Sequence, residues 1–109
     1  MSESSMRLEH INMPARDPEG LAGWYAQTFD LRADKHRVRG DGLLIVFQAG
    51  EPVQRAPELH IGLRVPSRSA LAQWAQRFAA EISNGAEFCS FRTFDPEGNC
   101  VEIYCPADT

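Results

Sequence analysis

His10-Ile11-Asn12-Met13-Pro14-Ala15-Arg16-Asp17-Pro18-Glu19-Gly20-Leu21-Ala22-Gly23-Trp24 lies over His60-Ile61-Gly62-Leu63-Arg64-Val65-Pro66-Ser67-Arg68-Ser69-Ala70-Leu71-Ala72-Gln73-Trp74 at a constant offset of 50 residues, without a gap. His10 falls on His60, Ile11 on Ile61, Leu21 on Leu71, Ala22 on Ala72 and Trp24 on Trp74. Self-similarity at such a period means a supersecondary unit used twice, each copy needing another surface to cover its apolar face. The repeat also duplicates a histidine.

Both copies carry the same grammar. Arg7 to Pro14 alternates as a strand should, with Leu8, His10 and Asn12 on one face and Pro14 as the expected stop. Asp17-Pro18-Glu19 then opens a helix over about 18–29: Asp can cap free N–H groups, Pro fits the first helical position, and Glu suits the positive end of the dipole. Leu21, Trp24, Tyr25 and Thr28 recur at helical spacing, the pattern of a buried stripe. In the second copy Glu58 to Val65 reads as the strand and Pro66 as its stop. Ser67 is the cap of a helix bearing Leu71, Trp74, Ala75, Phe78 and Ile82.

Between the two copies, Arg32 to Val38 and Leu43 to Gln48 read as strands joined at Gly40-Asp41-Gly42, followed by a loop or short edge strand from Gly50 to Pro57. After the second helix come a turn at Asn84-Gly85, a strand from Glu87 to Phe94, a tight turn at Asp95-Pro96-Glu97-Gly98-Asn99 and a last strand from Cys100 to Tyr104. The class is α+β, with helices on one face of curved sheets. No low-complexity linker divides the halves, so one domain is expected over 1–109, built of repeated modules at about 6–54 and 57–106.

Composition narrows the partners. The chain has 109 residues, 43% of them hydrophobic, enough for one modest core. Fifteen acidic against eleven basic side chains give a net charge of −4, the wrong sign for a nucleic-acid binder. The basic stretch Lys35 to Arg39 reads as a solvated strand or turn. No run approaches the roughly 20 apolar residues of a membrane span, and the polar start of the chain carries no secretion-like segment, so a cytoplasmic protein is expected. Cys89, Cys100 and Cys105 are odd in number and form no C-x-x-C pair, which argues for reduced structural thiols.

Chemistry concentrates on three residues. His10 and His60 hold the same place in the two copies, and Glu102 lies in the last strand. Two imidazoles and a carboxylate are the donor set of a facial triad, which grips a divalent metal from one side and leaves positions open for substrate or oxygen. A single strand histidine is more often a hydrogen-bonded structural residue. Two at one register position, with a terminal-strand carboxylate, have few structural causes.

These segments resemble the vicinal oxygen chelate superfamily, the glyoxalase, bleomycin-resistance and extradiol dioxygenase group. The resemblance rests on Leu8-Glu9-His10-Ile11-Asn12-Met13 followed by a Trp-Tyr helix, on Glu58-Leu59-His60-Ile61-Gly62-Leu63-Arg64-Val65, and on Asp95-Pro96-Glu97-Gly98-Asn99-Cys100-Val101-Glu102-Ile103-Tyr104. It implies paired βαβββ modules, the first one shortened here, forming a cupped mixed sheet with helices on its outer face. His10, His60 and Glu102 fall on metal-ligand positions, and Glu102 is also the candidate catalytic carboxylate. The implied cofactor is a divalent ion: zinc, nickel, manganese or iron(II).

Departures from the family pattern refine the expectation. Glyoxalase I-like members carry a fourth ligand late in the first module, where this chain has Leu43-Leu44-Ile45-Val46-Phe47-Gln48. Gln48 is the candidate replacement, as ligand or substrate contact. Extradiol-like members carry a Tyr three residues before the Asp-Pro turn, where Arg92 stands here, and no His follows His60. Arg64 and Arg92 are candidate partners of a substrate carboxylate or phosphate. The expected activity is that of a metal-dependent lyase or isomerase chelating adjacent oxygens of a small molecule. The alternatives are an iron(II) extradiol-type dioxygenase and a metal-free, bleomycin-resistance-like binding protein. The resemblance also implies a homodimer.

Overall fold

The computed structural model describes residues 5–53, 56 and 58–108. The chain divides into two compact units, Met1–Val53 and Gln54–Thr109. The first unit contains β1 (Ile11–Ala15), α1 (Pro18–Phe29), β2 (Arg32–Asp34), β3 (Arg37–Gly40) and β4 (Leu43–Ala49). The second contains β5 (Ile61–Arg64), α2 (Arg68–Arg77), β6 (Ser83–Asn84), β7 (Phe88–Phe94) and β8 (Cys100–Pro106). Each is a βαβββ unit with a four-stranded mixed sheet, β1-β4-β3-β2 in one and β5-β8-β7-β6 in the other. The class is α+β. The shortening of the first unit lies in β3, of four residues against seven in its counterpart β7, and no strand is lost.

In each sheet the last strand is central. β4 pairs β1 in parallel and β3 antiparallel, and β8 pairs β5 in parallel and β7 antiparallel. A parallel partner needs a crossover, which the helix between first and second strands supplies.

The first unit's core is aromatic. α1 starts on Asp17, whose side chain accepts a hydrogen bond from the Gly20 amide at 3.1 Å, with Pro18 in the first turn. Its buried residues are Leu21, Ala22, Tyr25 and Phe29. Tyr25 and Phe47 of β4 are both fully buried with ring centroids 5.5 Å apart. The helix ends on Asp30 in the left-handed region (φ 57°), with the Leu31 amide donating to the Ala26 carbonyl at 3.0 Å.

α2 is capped by the Ser67 hydroxyl, which accepts from the Ala70 amide at 3.1 Å, and buries Leu71 and Ala75. It stops at Arg77, before Phe78 and Ile82, where helical spacing predicts continuation. The Ala80 amide donates to the Ala75 carbonyl and the Ala79 amide to Gln76, which is a Schellman closure with Ala79 at φ 50°. An alanine in this role gives no sequence signal. Phe78 packs on Phe91 of β7 with centroids 5.7 Å apart, so its apolar face is still used, outside the helix.

Several strand readings change, and β1 begins only at Ile11 rather than Arg7. Arg32 to Val38 is not one strand: Asp34 pairs with Arg37 across a two-residue turn, with Lys35 at φ 56°. Lys-His lacks the Asn-Gly signature of such turns, so the spelling hides it. Pro14 does not end β1, which runs to Ala15 with Pro14 beside Gln48. β1 is an edge strand, where a missing N–H leaves no ladder bond unmade. Pairing of β5 covers 61–64 only, within the expected 58–65. The Gly50 to Pro57 loop includes residues 54, 55 and 57, which lie outside the described set. No described helix is long and apolar enough to cross a membrane.

Candidate metal centre

Strand parity sorts each sheet into a helix-covered face and an open one. In the second unit Val101, Ile103 and Cys105 of β8 are buried, as are Cys89 and Phe91 of β7. The alternate residues form the open face: Glu102 lies between Gly62 and Arg92, and Tyr104 between Arg64 and Ser90. Arg64 and Arg92 therefore share the face of Glu102. His60 directly precedes β5 and, by alternation, continues the row of Gly62 and Arg64.

The turn at 95–99 fixes this register. The buried Asp95 carboxylate accepts from the Glu97 and Asn99 amides at 2.9 Å each through Oδ1, and from Asn99 Nδ2 at 2.8 Å through Oδ2. Gly98 sits at φ 89°, a conformation that glycine adopts without strain. Five residues thus join Phe94 to Cys100, and Arg92 falls opposite Glu102.

His60 Nε2 stands 3.5 Å from Glu102 Oε1, while Arg92 Nε donates to Glu102 Oε2 at 3.3 Å. The His60 and Glu102 side chains are 26% and 21% exposed, sheltered but open to solvent. His60 Nδ1 is buried with no hydrogen-bond partner among the described residues. Gly62 puts no side chain between the imidazole and Arg64 on this face. A Cβ there would meet Tyr104, at 3.7 Å.

The spacing suits a shared cation. Two donors bound at about 2.1 Å stand about 3.0 Å apart at a right angle and about 3.4 Å at a tetrahedral one. The 3.5 Å separation is close to such an edge, and the second carboxylate oxygen is already held by a guanidinium.

In the first unit, His10 directly precedes β1 and contacts Glu9 Oε1 through Nδ1 at 3.0 Å, an exposed local pairing. Gln48 lies on the open face of its sheet, where its Oε1 accepts from Asn12 Nδ2 at 2.6 Å. That contact engages the amide oxygen a metal would need, and leaves the amide N–H₂ as the group Gln48 offers. A hollow of about 340 Å³ adjoins it, lined by Pro18, His36, Val46, Phe47, Gln48 and Ala49.

Of the three expected ligands, His60 and Glu102 are thus neighbours. Among the described residues no group of three or more His, Cys, Asp and Glu side chains is gathered that could hold a metal ion. Sequence reasoning missed the Arg92–Glu102 and Asn12–Gln48 pairs. The first was recoverable by counting outward from the five-residue turn. The second needed the parallel register of β1 on β4.

No protein-family model and no curated protein matches the chain. Solved structures do. A Bacillus cereus protein described as a possible glyoxalase is 20% identical, with a TM-score of 0.74 over 93% of this chain and 100% of its own. Lactoylglutathione lyase from Agrobacterium tumefaciens is 13% identical, with a TM-score of 0.69 over 94% of this chain and 96% of its own. A glyoxalase/bleomycin resistance protein/dioxygenase from Alicyclobacillus acidocaldarius is 19% identical, with a TM-score of 0.65 over 89% of each chain. At these identities what is shared is the fold. Two βαβββ units with mixed four-stranded sheets give this chain the fold seen in the glyoxalase/bleomycin resistance/dioxygenase proteins.

Proposed function

We propose that the protein is a divalent-metal-dependent enzyme of the glyoxalase type, a lyase or isomerase that takes a small molecule bearing two adjacent oxygens. The observation that carries this is the approach of His60 Nε2 to 3.5 Å from Glu102 Oε1, within one unit of a glyoxalase-type fold. His10 is the third ligand in this reading, and zinc, nickel, manganese or iron(II) the candidate ion. Such an ion, when bound, supplies Lewis acidity toward the paired oxygens and toward charge that develops on them.

The chain's own residues do the rest. Arg92 fixes the Glu102 carboxylate through Oε2 and leaves Oε1 toward His60. Glu102 is both ligand and catalytic carboxylate. Arg64 and Arg92 orient an anionic substituent from the face they share with Glu102, and Gln48 donates its amide N–H₂ to a substrate oxygen. Cys89, Cys100 and Cys105 are all free and buried, which supports work in a reducing compartment, the cytoplasm. The whole chain acts as one domain, in a homodimer.

One observation favours a second reading, a metal-free binding protein for a small organic compound. Arg92 already gives Glu102 a cationic partner, so the carboxylate is not left without a counter-charge. Elemental analysis of wild type, His60→Ala and Glu102→Ala, purified without chelator, separates the two. The enzyme reading expects a divalent metal in the wild type and its loss from both variants; equal metal in all three removes it.

A further inference from the structure

The open face of the first sheet carries a second cluster that the proposed metal chemistry does not use. Val38 of β3 is fully buried and pairs with Ile45 on the helix side, so Arg37 and Arg39 point to the opposite face. β2 repeats this: Ala33 pairs with Val38, which turns Arg32 and Asp34 to the open side. Arg32 lies directly opposite Arg39, and Arg37 opposite Asp34. Arg32 and Arg39 are exposed and Arg37 is half-buried. None of the three guanidinium groups makes an ion pair or hydrogen bond with a described residue.

A directly opposed pair of like charges opposes strand pairing, because Cβ atoms at such positions stand only about 5 Å apart. An anion seated between the two groups turns that repulsion into attraction. Each guanidinium is a planar fork that takes two acceptor oxygens. One carboxylate fills a single fork, whereas a phosphate brings three terminal oxygens and a charge of about −1.5 to −2. The pair therefore favours a phosphate-class dianion. Its setting agrees: Arg39 adjoins Leu44 of β4, the row of Arg37 continues through Val46 to Asn12, and Gln48 lies on the same face.

We propose that Arg32 and Arg39, with Arg37 beside them, form an oxyanion site for the phosphate group of a small molecule on the open face of the first sheet. The site stands on this unit alone and does not require the metal reading. In a chain of net charge −4 it is a local reversal of sign, which draws a compact phosphate without making the whole surface attractive to polyanions.

The test titrates inorganic phosphate and pyrophosphate into the full chain in low-salt buffer, followed by amide chemical shifts and thermal unfolding. The expected result is saturable binding, with shifts centred on residues 32–39 and 44–46 and a melting temperature that rises with ligand. R32Q/R39Q should lose at least tenfold in affinity and the ligand-induced rise in melting temperature, and D34N should bind more tightly than wild type. Without ligand, R39Q should melt no lower than wild type, since it removes repulsion, so lost binding would not reflect lost folding. Chloride at equal ionic strength reproducing the whole effect overturns the proposal, as does unchanged binding in R32Q/R39Q. Metal content, measured on the same samples, should be the same in wild type and R32Q/R39Q.

Discussion

Glu102 is shared between a histidine on one side and an arginine on the other, and the two make different demands on it. A nearby cation competes with a metal for the carboxylate, although the Arg92 side chain, 45% exposed, is well screened by water. In the metal-dependent reading, Arg92→Gln should therefore tighten metal binding modestly, up to about fivefold, measured by competition with a chromophoric chelator. If Arg92 also holds a substrate anion, the same variant loses substrate affinity while gaining metal. Asp95 acts by a different route. Its carboxylate satisfies two backbone amides and the Asn99 side chain inside a buried turn, so Asp95→Ala leaves those donors unmet. The expected cost is about 2–3 kcal/mol in urea unfolding, with Glu102 displaced from Arg92.

At the scale of elements, helix ends and hairpins carry the strain. Ala79 takes a left-handed conformation to close α2, which costs a residue with a Cβ about 1–2 kcal/mol. Ala79→Gly should stabilise the protein by about 0.5–1 kcal/mol, once the greater freedom of glycine in the unfolded chain is subtracted. A chemical denaturation midpoint that falls instead would show that the closure is not strained. Phe47 makes the opposite point. It sits fully buried on the central strand against Tyr25, so Phe47→Ala should cost about 3–5 kcal/mol and collapse the first sheet's open face along with its core. Helix starts were legible because Asp17 and Ser67 are good caps with a mechanism. The end of α2 and the Lys35-His36 turn were not, because they turn on Ala79 and Lys35 at positive φ, which alanine and lysine seldom take, and their letters announce nothing.

For the whole molecule, the homodimer reading is checked by sedimentation of the wild type, which should give twice the mass of one chain at micromolar concentration. A chain that stays monomeric at every concentration counts against it. What the sequence by itself determined is the doubled unit: apolar periodicity, caps, turn residues and the 50-residue offset are local signals, and together they name two strand-helix-sheet copies. It also singled out His10, His60 and Glu102 as candidate ligands, because a duplicated histidine and a carboxylate past an Asp-Pro-x-Gly turn are visible as letters. Tertiary structure alone decided who stands beside whom. The 3.5 Å approach of His60 to Glu102, the guanidinium on the second carboxylate oxygen and the facing arginines of β2 and β3 all depend on strand register. Register depends on one-residue counts at turns, and a slip of one residue would send each of these side chains to the other face of its sheet.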